Sequence, residues 1–169
     1  MNIKKAISLK INIGCGDTPT KGWRNYDNSW SIRLAKKKVL TYILWKSGFL
    51  SEAQDKFISF AKNANILWAN GIKRIPENDS SVDVVYSCHM VEHIEKENVA
   101  LFFKEARRIL KSGGIIRLAV PNLKYQVDSY LKDGDADKFI ESTLLTRKNP
   151  KTLIEKIIYL IIGDRNHQW

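Results

Sequence analysis

Two hydrophobic patterns alternate along this chain. Short apolar runs bounded by turn residues predict β-strands, and longer stretches with an apolar residue every three or four positions predict amphipathic helices. The predicted strands cover residues 10–13, 23–28, 66–69, 82–87 and 115–120. The predicted helices cover residues 30–46, 51–63, 95–110, 123–132, 136–146 and 151–162, with Ser51 as an N-cap and Gly113-Gly114 as the stop after 95–110.

The order of these elements defines the expected fold class. Strands that alternate with helices predict a Rossmann-like α/β domain, with a mostly parallel sheet and helices on both faces. Ligands of such sheets bind beyond the carboxyl ends of the strands, where the strand order reverses. This rule selects as candidate site positions residues 14–17, Asp27, Asn70 with Gly71, residues 87–89, and Pro121 with Asn122.

A Gly-Cys-Gly turn directly follows the first predicted strand. At Gly14 and Gly16 the missing Cβ permits a sharp turn and the close approach of a ligand. A dinucleotide fingerprint would need a small residue where this chain has Pro19, and an acid ~20 residues on. Asp27 lies only eleven residues after Gly16, which leaves no room for a full helix between the strands and disfavours NAD. Asp27 could accept both hydroxyl protons of a ribose, or it could be a surface turn residue.

Composition narrows the class of protein further. The chain has 169 residues, 44% of them hydrophobic, which fits one globular domain with its own core. No apolar run reaches the ~20 residues of a membrane-spanning helix, and the N-terminus lacks the features of a signal peptide. The two cysteines, Cys15 and Cys88, belong to no metal-binding motif, so we expect no metal and a cytoplasmic location.

Positive charge is concentrated in the first third of the chain. The net charge is +10, and residues 1–50 contribute +8, from ten Lys/Arg and two acids. The densest group is Arg33, Lys36, Lys37 and Lys38 in the first predicted helix. This group is interpreted either as a solvated helix face or as a contact for an anionic substrate or an anionic membrane surface. Specific nucleic-acid binding ranks last, because no recognition motif for it is present.

Four sequence motifs occur together in a defined order. They are INIGCG at the first strand end, NYDNS at the acid-ending second strand, IPENDSSVDVVYS at the fourth strand, and LKSGG before the fifth. In this order they resemble class I S-adenosylmethionine-dependent methyltransferases, over about residues 10–123. The nearest likeness is to small bacterial enzymes that accompany surface-polysaccharide and lipopolysaccharide synthesis. The resemblance implies S-adenosylmethionine as cofactor and a small-molecule, glycan or lipid-linked sugar as methyl acceptor.

The resemblance also assigns cofactor roles to individual residues. The residues concerned are Gly14, Cys15, Gly16, Asp27, Asn70, Gly71, Ser87 and Cys88. The glycine turn would lie against the amino-acid part of the cofactor, and Asp27 would hold the ribose hydroxyls. Asn70 stands where the family often has an aspartate near the adenine amino group, and its side-chain oxygen can still accept a hydrogen bond.

The chemistry at the methyl acceptor depends on whether the accepting atom must lose a proton. Methyl transfer from a sulfonium is an in-line displacement in which positioning supplies much of the rate. An acceptor hydroxyl would also need a base, and His89, which with Ser87 and Cys88 would face the sulfonium and the acceptor, is the candidate. The alternative for His89 is a residue that orders the cofactor loop or lines the pocket. Glu92 and His93 are interpreted as helix-start and loop-packing residues.

The C-terminal part departs from the family pattern. Family members usually continue into a further helix and two strands beyond a turn like the one at residues 166–169, where this chain stops. We therefore expect one domain, with core motifs over 10–123 and a truncated helical part over 124–169. The helix predicted over 151–162 is apolar on all sides, so it would support self-association or fold back over the sheet. Two functions stay open: an active methyltransferase, or a non-catalytic, cofactor-binding partner subunit.

Overall fold

The computed structural model describes residues 8–50 and 52–143 of the chain. The expectations about Ser51, the helix end near 146, the helix over 151–162 and the lost C-terminal strands lie outside the described residues. The described residues divide into two compact units, which are residues 8–88 with 100–118, and residues 89–99 with 119–143.

A five-stranded sheet carries the fold. Its strands are β1 (Lys10–Ile13), β2 (Arg24–Asp27), β3 (Leu67–Trp68), β4 (Val82–Cys88) and β5 (Leu110–Ala119). They lie in the order β3-β2-β1-β4-β5. Strand β1 pairs in parallel with both β2 and β4, and β2 pairs in parallel with β3. Because the strand order reverses at β1, this arrangement confirms the predicted Rossmann-like, mostly parallel sheet.

The described residues contain six α-helices. They are α1 (Trp30–Ala35), α2 (Lys38–Lys46), α3 (Glu52–Asn63), α4 (Val99–Ile109), α5 (Leu123–Asp133) and α6 (Ala136–Thr143). In the first unit α1 packs against α3 and lies beside β3. In the second unit α5 and α6 pack together, and the rings of Tyr130 and Phe139 lie 5.4 Å apart.

The single helix predicted over 30–46 is wrong, because the structure has two helices there. They are separated at Lys37, whose φ of −120° and ψ of 72° lie outside helical geometry. Thr41 spans the break and donates its hydroxyl to the carbonyls of Leu34, at 2.8 Å, and Lys37, at 3.0 Å. These local side-chain bonds replace helical bonds that the break removes.

The break also changes which apolar side chains are buried. Ile32 on α1 is buried, as the pattern predicts. In a single helix over 30–46, helical spacing would place Ile32, Ala35, Val39, Tyr42 and Ile43 on one apolar face. Val39, Tyr42 and Ile43, which lie on α2, are instead more than half exposed. The prediction of one apolar face running from α1 through α2 therefore fails at the break.

The segment around LKSGG also differs from its prediction. Two 3₁₀ turns, Val91–His93 and Lys96–Asn98, precede α4, which begins later than predicted. Strand β5 begins earlier than predicted, so Gly113 and Gly114 lie within the strand and do not form a helix stop. The start of β5 is held to β4 by an ion pair between Lys111 Nζ and Asp83 Oδ1 at 2.9 Å.

Two buried carboxylates brace the first unit. Glu77 accepts a hydrogen bond from the Tyr26 hydroxyl at 2.6 Å. Glu105 accepts the backbone N–H of Ile75 at 2.7 Å and pairs through both oxygens with Arg108, at 2.6 and 2.8 Å. The hydrogen bonds from Arg108 hold the pKa of Glu105 below its usual range despite burial. Paired in this way, buried charge connects α4 to the loop before β4.

Candidate functional site

The Gly-Cys-Gly turn lies at the carboxyl end of β1, next to the point where the strand order reverses. Gly14 and Gly16 have φ values of 72° and 51°, in the left-handed region that favours glycine. The N–H groups of Gly14 and Cys15 both donate to the carbonyl of Tyr26 on β2, at 2.8 and 3.2 Å. A Cβ added at Gly16 would meet no atom within 4 Å, so this side of the turn is open to a ligand.

Asp27, the last residue of β2, is hydrogen-bonded to this turn. Its Oδ2 accepts the N–H of Gly16 at 3.0 Å, and its Oδ1 accepts the N–H of Ser29, the residue before α1, at 2.8 Å. An ionised carboxylate offers about four lone-pair positions, so about two stay available for further donors. The structure thus brings Gly16 and Asp27 into contact, and hydroxyl groups of a ligand could complete the acceptor positions of Asp27.

A short loop connects the turn to β2, and its path is fixed by buried asparagines. As the spacing predicts, no helix lies between β1 and β2. Asn25 accepts the N–H of Thr20 at 2.8 Å and donates back to its carbonyl at 3.0 Å, while Asn12 donates to the Thr20 hydroxyl at 3.2 Å. These two asparagines occupy adjacent register positions on β1 and β2. Sequence reasoning missed them, although polar residues inside short buried strands were a visible signal.

The side chain of Cys15 points into the core. It is 3% exposed and packs in a cluster with Ile32, Ala61 and Ile66. Burial, together with the charges of Asp27 and Asp17, raises the pKa of the Cys15 thiol to about 12. Cys15 therefore stays a neutral thiol at physiological pH, and this environment favours its interpretation as a packing group. Only its backbone faces the turn.

Asn70 and Gly71 follow β3. The side-chain oxygen of Asn70 accepts the N–H of Ile72 at 3.0 Å, which shapes the turn, and its carbonyl accepts the N–H of Arg74 at 3.0 Å. A Cβ at Gly71 would lie 3.2 Å from Ile13 and 3.3 Å from Phe102. A Cβ would therefore crowd these two side chains, so packing alone favours glycine at this position. Contact of either residue with an adenine stays a prediction.

Ser87 and Cys88 form the end of β4 rather than the segment after it. Ser87 is 1% exposed, and among the described residues its hydroxyl has no hydrogen-bond partner. A buried hydroxyl without a partner is unusual and is one of the features that a ligand could satisfy. Cys88 is a free, half-buried thiol.

His89 belongs to the second unit and directly follows Cys88 in the chain. Its φ of 50° is rare for a residue with a Cβ. Its backbone N–H donates to the carbonyl of Ala119 at 2.9 Å, and its Nδ1 lies 3.2 Å from Oε1 of Glu92. The Glu92 side chain is 4% exposed, whereas that of His89 is 62% exposed. A carboxylate at Nδ1 favours the tautomer with its proton there, which leaves Nε2 as an acceptor.

The pairing of Glu92 with His89 was missed in the sequence. Glu92 lies in a 3₁₀ turn, and its side chain is directed at His89 rather than serving only as a helix-start residue. The signal was the spacing of three residues between a histidine after a strand and the following glutamate. Such a carboxylate orients an imidazole, as in catalytic dyads of other enzymes.

The described part of the chain shows neither a cluster of metal ligands nor a membrane-spanning helix. Among residues 8–50 and 52–143, no group of three or more His, Cys, Asp or Glu side chains is placed to hold a metal ion. Over the same residues, no helix has the length and apolar character needed to cross a bilayer.

Comparison with known proteins adds a family match over part of the chain. A family described as "Methyltransferase domain" matches residues 45–118, which is less than half of the chain and begins after Asp27. Comparison with curated proteins gave no match.

Several solved structures are similar to this chain. A Pyrococcus horikoshii OT3 protein is 18% identical with a TM-score of 0.48, over 78% of this chain and 57% of its own. A SAM-dependent methyltransferase from Archaeoglobus fulgidus is 17% identical with a TM-score of 0.47, over 93% of this chain and 77% of its own. A Rickettsia typhi protein in complex with AdoHcy is 16% identical with a TM-score of 0.45, over 92% of this chain and 28% of its own. These likenesses are too distant to assign a function. The chain spans little more than half the length of the Pyrococcus protein.

Proposed function

We propose that this chain binds S-adenosylmethionine and catalyses methyl transfer. The observation that carries the proposal is the open glycine turn at the end of β1, hydrogen-bonded through Gly16 to the carboxylate of Asp27 at the end of β2. Ligand sites of doubly wound sheets lie at this position. The match of residues 45–118 to a methyltransferase family supports the same class of reaction from a separate part of the chain.

The residues of the turn fit the cofactor. The turn of Gly14, Cys15 and Gly16 would receive its amino-acid part, and the free lone pairs of Asp27 would accept the ribose hydroxyls. Asn70 with Gly71 would lie near the adenine, and the unpartnered Ser87 hydroxyl and Cys88 would lie beside the cofactor. When bound, S-adenosylmethionine supplies an electrophilic methyl group on a sulfonium. These residues hold and orient, and they form no covalent bond.

His89 is the candidate base for an acceptor that must lose a proton. With its Nδ1 proton directed at Glu92, its Nε2 is free to accept a proton from a hydroxyl. Glu92 then acts as a positioning residue, because it fixes the tautomer and stabilises the imidazolium. An acceptor amine that is already neutral would not need this step.

The acceptor is proposed by class. We propose a small molecule, a glycan or a lipid-linked sugar, in keeping with the resemblance to enzymes of surface-polysaccharide synthesis. We propose a cytoplasmic location with peripheral contact to the inner face of the membrane, and no specific nucleic-acid partner. Self-association through the helix expected over 151–162 stays a proposal about residues outside those described.

Calorimetric titration with S-adenosylhomocysteine tests the proposal. We expect micromolar affinity for the wild-type chain and loss of binding in Gly16→Ala, whose Cβ enters the open side of the turn. Gly22→Ala is the matched control, because Gly22 also has a positive φ, 79°, and open surroundings, but lies outside the turn. Absence of binding by the wild-type chain would contradict the proposal. Binding without transfer to any acceptor of a broad panel would favour the non-catalytic partner subunit.

A further inference from the structure

Helix α2 and the residues that follow it, up to Phe49, expose several large apolar side chains. The large apolar side chains that are more than half exposed there are Val39 (74%), Tyr42 (57%), Ile43 (55%), Trp45 (53%) and Phe49 (54%). Single exposed apolar residues are ordinary on protein surfaces. Five such side chains within eleven residues form an apolar patch of the kind that marks an interaction surface.

All the charged residues in and around α2 are basic. Residues 28–51 contain no Asp or Glu and five basic residues, which are Arg33, Lys36, Lys37, Lys38 and Lys46. Lys36, Lys37 and Lys46 are exposed, and Lys46 Nζ lies 5.7 Å from the centre of the Tyr42 ring. Positive charge therefore lies at both ends of α2, next to the exposed apolar side chains.

Helix α2 is joined to the sheet through α1. Thr41 binds α2 to the end of α1, and Ile32 anchors α1 in the core. Arg33 of α1 lies over the rings of Trp30 and Trp68, at 5.0 and 4.8 Å, and so connects α1 to β3. The exposed patch therefore lies on a helix with defined contacts to its neighbour.

We propose that α2 docks this chain on an anionic lipid bilayer. The nine-residue helix is about 13 Å long, far too short to span a bilayer, so it would lie in the plane of the interface. Tyr42, Trp45 and Phe49 would enter the boundary between headgroups and acyl chains, where aromatic side chains are preferred. The lysines would lie at the lipid phosphates. This inference is independent of the proposed methyl transfer.

Charge selects the bilayer over a second copy of the chain. A symmetric dimer through α2 would bring the same patch of each copy together. The segment 28–51 of each copy contains five basic residues and no acidic one, so two copies docked through it would repel. An anionic membrane complements the charge and accommodates the aromatic rings at the same time.

Vesicle co-sedimentation at about 0.1 M salt, where exposed charges more than ~10 Å apart are largely screened, tests this docking. We expect the full chain to bind phosphatidylcholine vesicles that contain phosphatidylglycerol and to ignore vesicles of phosphatidylcholine alone. The triple variant Lys36→Gln, Lys37→Gln, Lys46→Gln should bind about a hundredfold more weakly, since each lysine near an anionic surface contributes about a factor of five. The matched control, Lys73→Gln, Lys104→Gln, Lys132→Gln, removes the same charge from exposed positions elsewhere and should stay within about threefold of wild type.

A second variant separates docking from general attraction of a basic protein. Trp45→Ser with Phe49→Ser keeps every charge and should weaken binding to the anionic vesicles tenfold or more. An unchanged thermal midpoint would show that this variant is folded. The proposal is overturned if the two lysine variants bind equally, or if the aromatic variant binds like wild type. It is also overturned if vesicles are ignored while light scattering shows a dimer that the aromatic variant dissociates.

Discussion

Two regions of the molecule differ in the side chains that they bury and expose. One is the carboxyl ends of β1 and β2, and the other is helix α2. At the strand ends, polar side chains are hydrogen-bonded: Asn25 is buried and its amide binds Thr20 and Trp23, and Asp27 receives two backbone N–H groups. On α2, apolar groups are exposed, and Val39 and Trp45 are each more than half open to solvent. Each region therefore reverses the usual assignment of polar and apolar residues.

This contrast shows which interactions fix the structure of each region. The strand ends are held by directed hydrogen bonds, which tolerate little change in side-chain chemistry. The patch on α2 has no such bonds, so its apolar character has no evident role in folding the described residues. Substitutions should therefore be costly for stability in the first region and its supporting core, and nearly neutral on α2.

The largest expected effect is at Glu105, in the core that supports the sheet. Glu105→Ala leaves the N–H of Ile75 without its acceptor and removes two hydrogen bonds of the Arg108 guanidinium, which keeps its bonds to Asp79 and to the carbonyls of Ile75 and Glu77. We expect a loss of about 3–5 kcal/mol in the free energy of unfolding, measured by urea denaturation. Glu105→Gln keeps an oxygen for Ile75 and should lose less. Equal losses in the two variants would contradict the role of the charge.

The same residue predicts an acid limit of stability. Because Arg108 lowers the pKa of Glu105 in the folded chain, the pair stabilises the fold above the ordinary glutamate pKa of about 4.5 and is lost as the pH falls below it. Denaturation of wild type and Glu105→Gln at about pH 7 and about pH 3 would show the difference between them shrinking at low pH.

A matched pair of isoleucines compares the two regions directly. Ile32 on α1 is 1% exposed, whereas Ile43 on α2 is 55% exposed. Ile32→Ala should cost about 2–5 kcal/mol of folding free energy, because it opens a cavity in the cluster around Cys15. Ile43→Ala should cost less than about 0.5 kcal/mol. A large cost at Ile43 would show that α2 is covered by protein, and it would break the comparison.

The sheet could be predicted from the sequence because its signals are local. Strand β4 is an apolar, β-branched run with polar turns on both sides, and it forms where the pattern places it. Gly14, Gly16 and Asp27 follow strand ends, so parallel strand topology was enough to bring them to one edge of the sheet.

The parts that were not predictable depend on tertiary partners. The apolar periodicity of residues 30–46 gives the faces of a helix but not what covers them, so the break at Lys37 and the exposure of α2 were invisible. The pairing of His89 with Glu92 depends on a left-handed backbone at His89. Histidine adopts this conformation more often than most residues with a Cβ, but it remains uncommon, so the sequence alone does not place it here.

At the ligand edge, Asp27→Ala should weaken S-adenosylhomocysteine binding by about 1.5–3 kcal/mol, which is roughly tenfold to 150-fold. The substitution removes the ribose acceptor and also the bond that holds Gly16. Asp17→Ala is the matched control, because Asp17 is an exposed acid next to Gly16. Calorimetric titration of both variants measures the difference. Similar affinities in the two would contradict the assignment of Asp27 to the ribose.

Among the residues at the strand ends, the smallest effect is expected at Cys15, where the turn and the core meet in one residue. Its backbone N–H donates to Tyr26 in the turn, but its side chain lies among Ile32, Ala61 and Ile66. Cys15→Ala preserves the backbone and removes only the sulfur. We therefore expect a loss of about 1 kcal/mol of folding free energy, and an affinity for S-adenosylhomocysteine within about twofold of wild type. Urea denaturation and calorimetric titration measure the two quantities on the same preparation. A tenfold loss of affinity with unchanged stability would show that the Cys15 side chain contacts the ligand rather than the core. It would also contradict the placement of the strand end that its hydrogen bonds indicate.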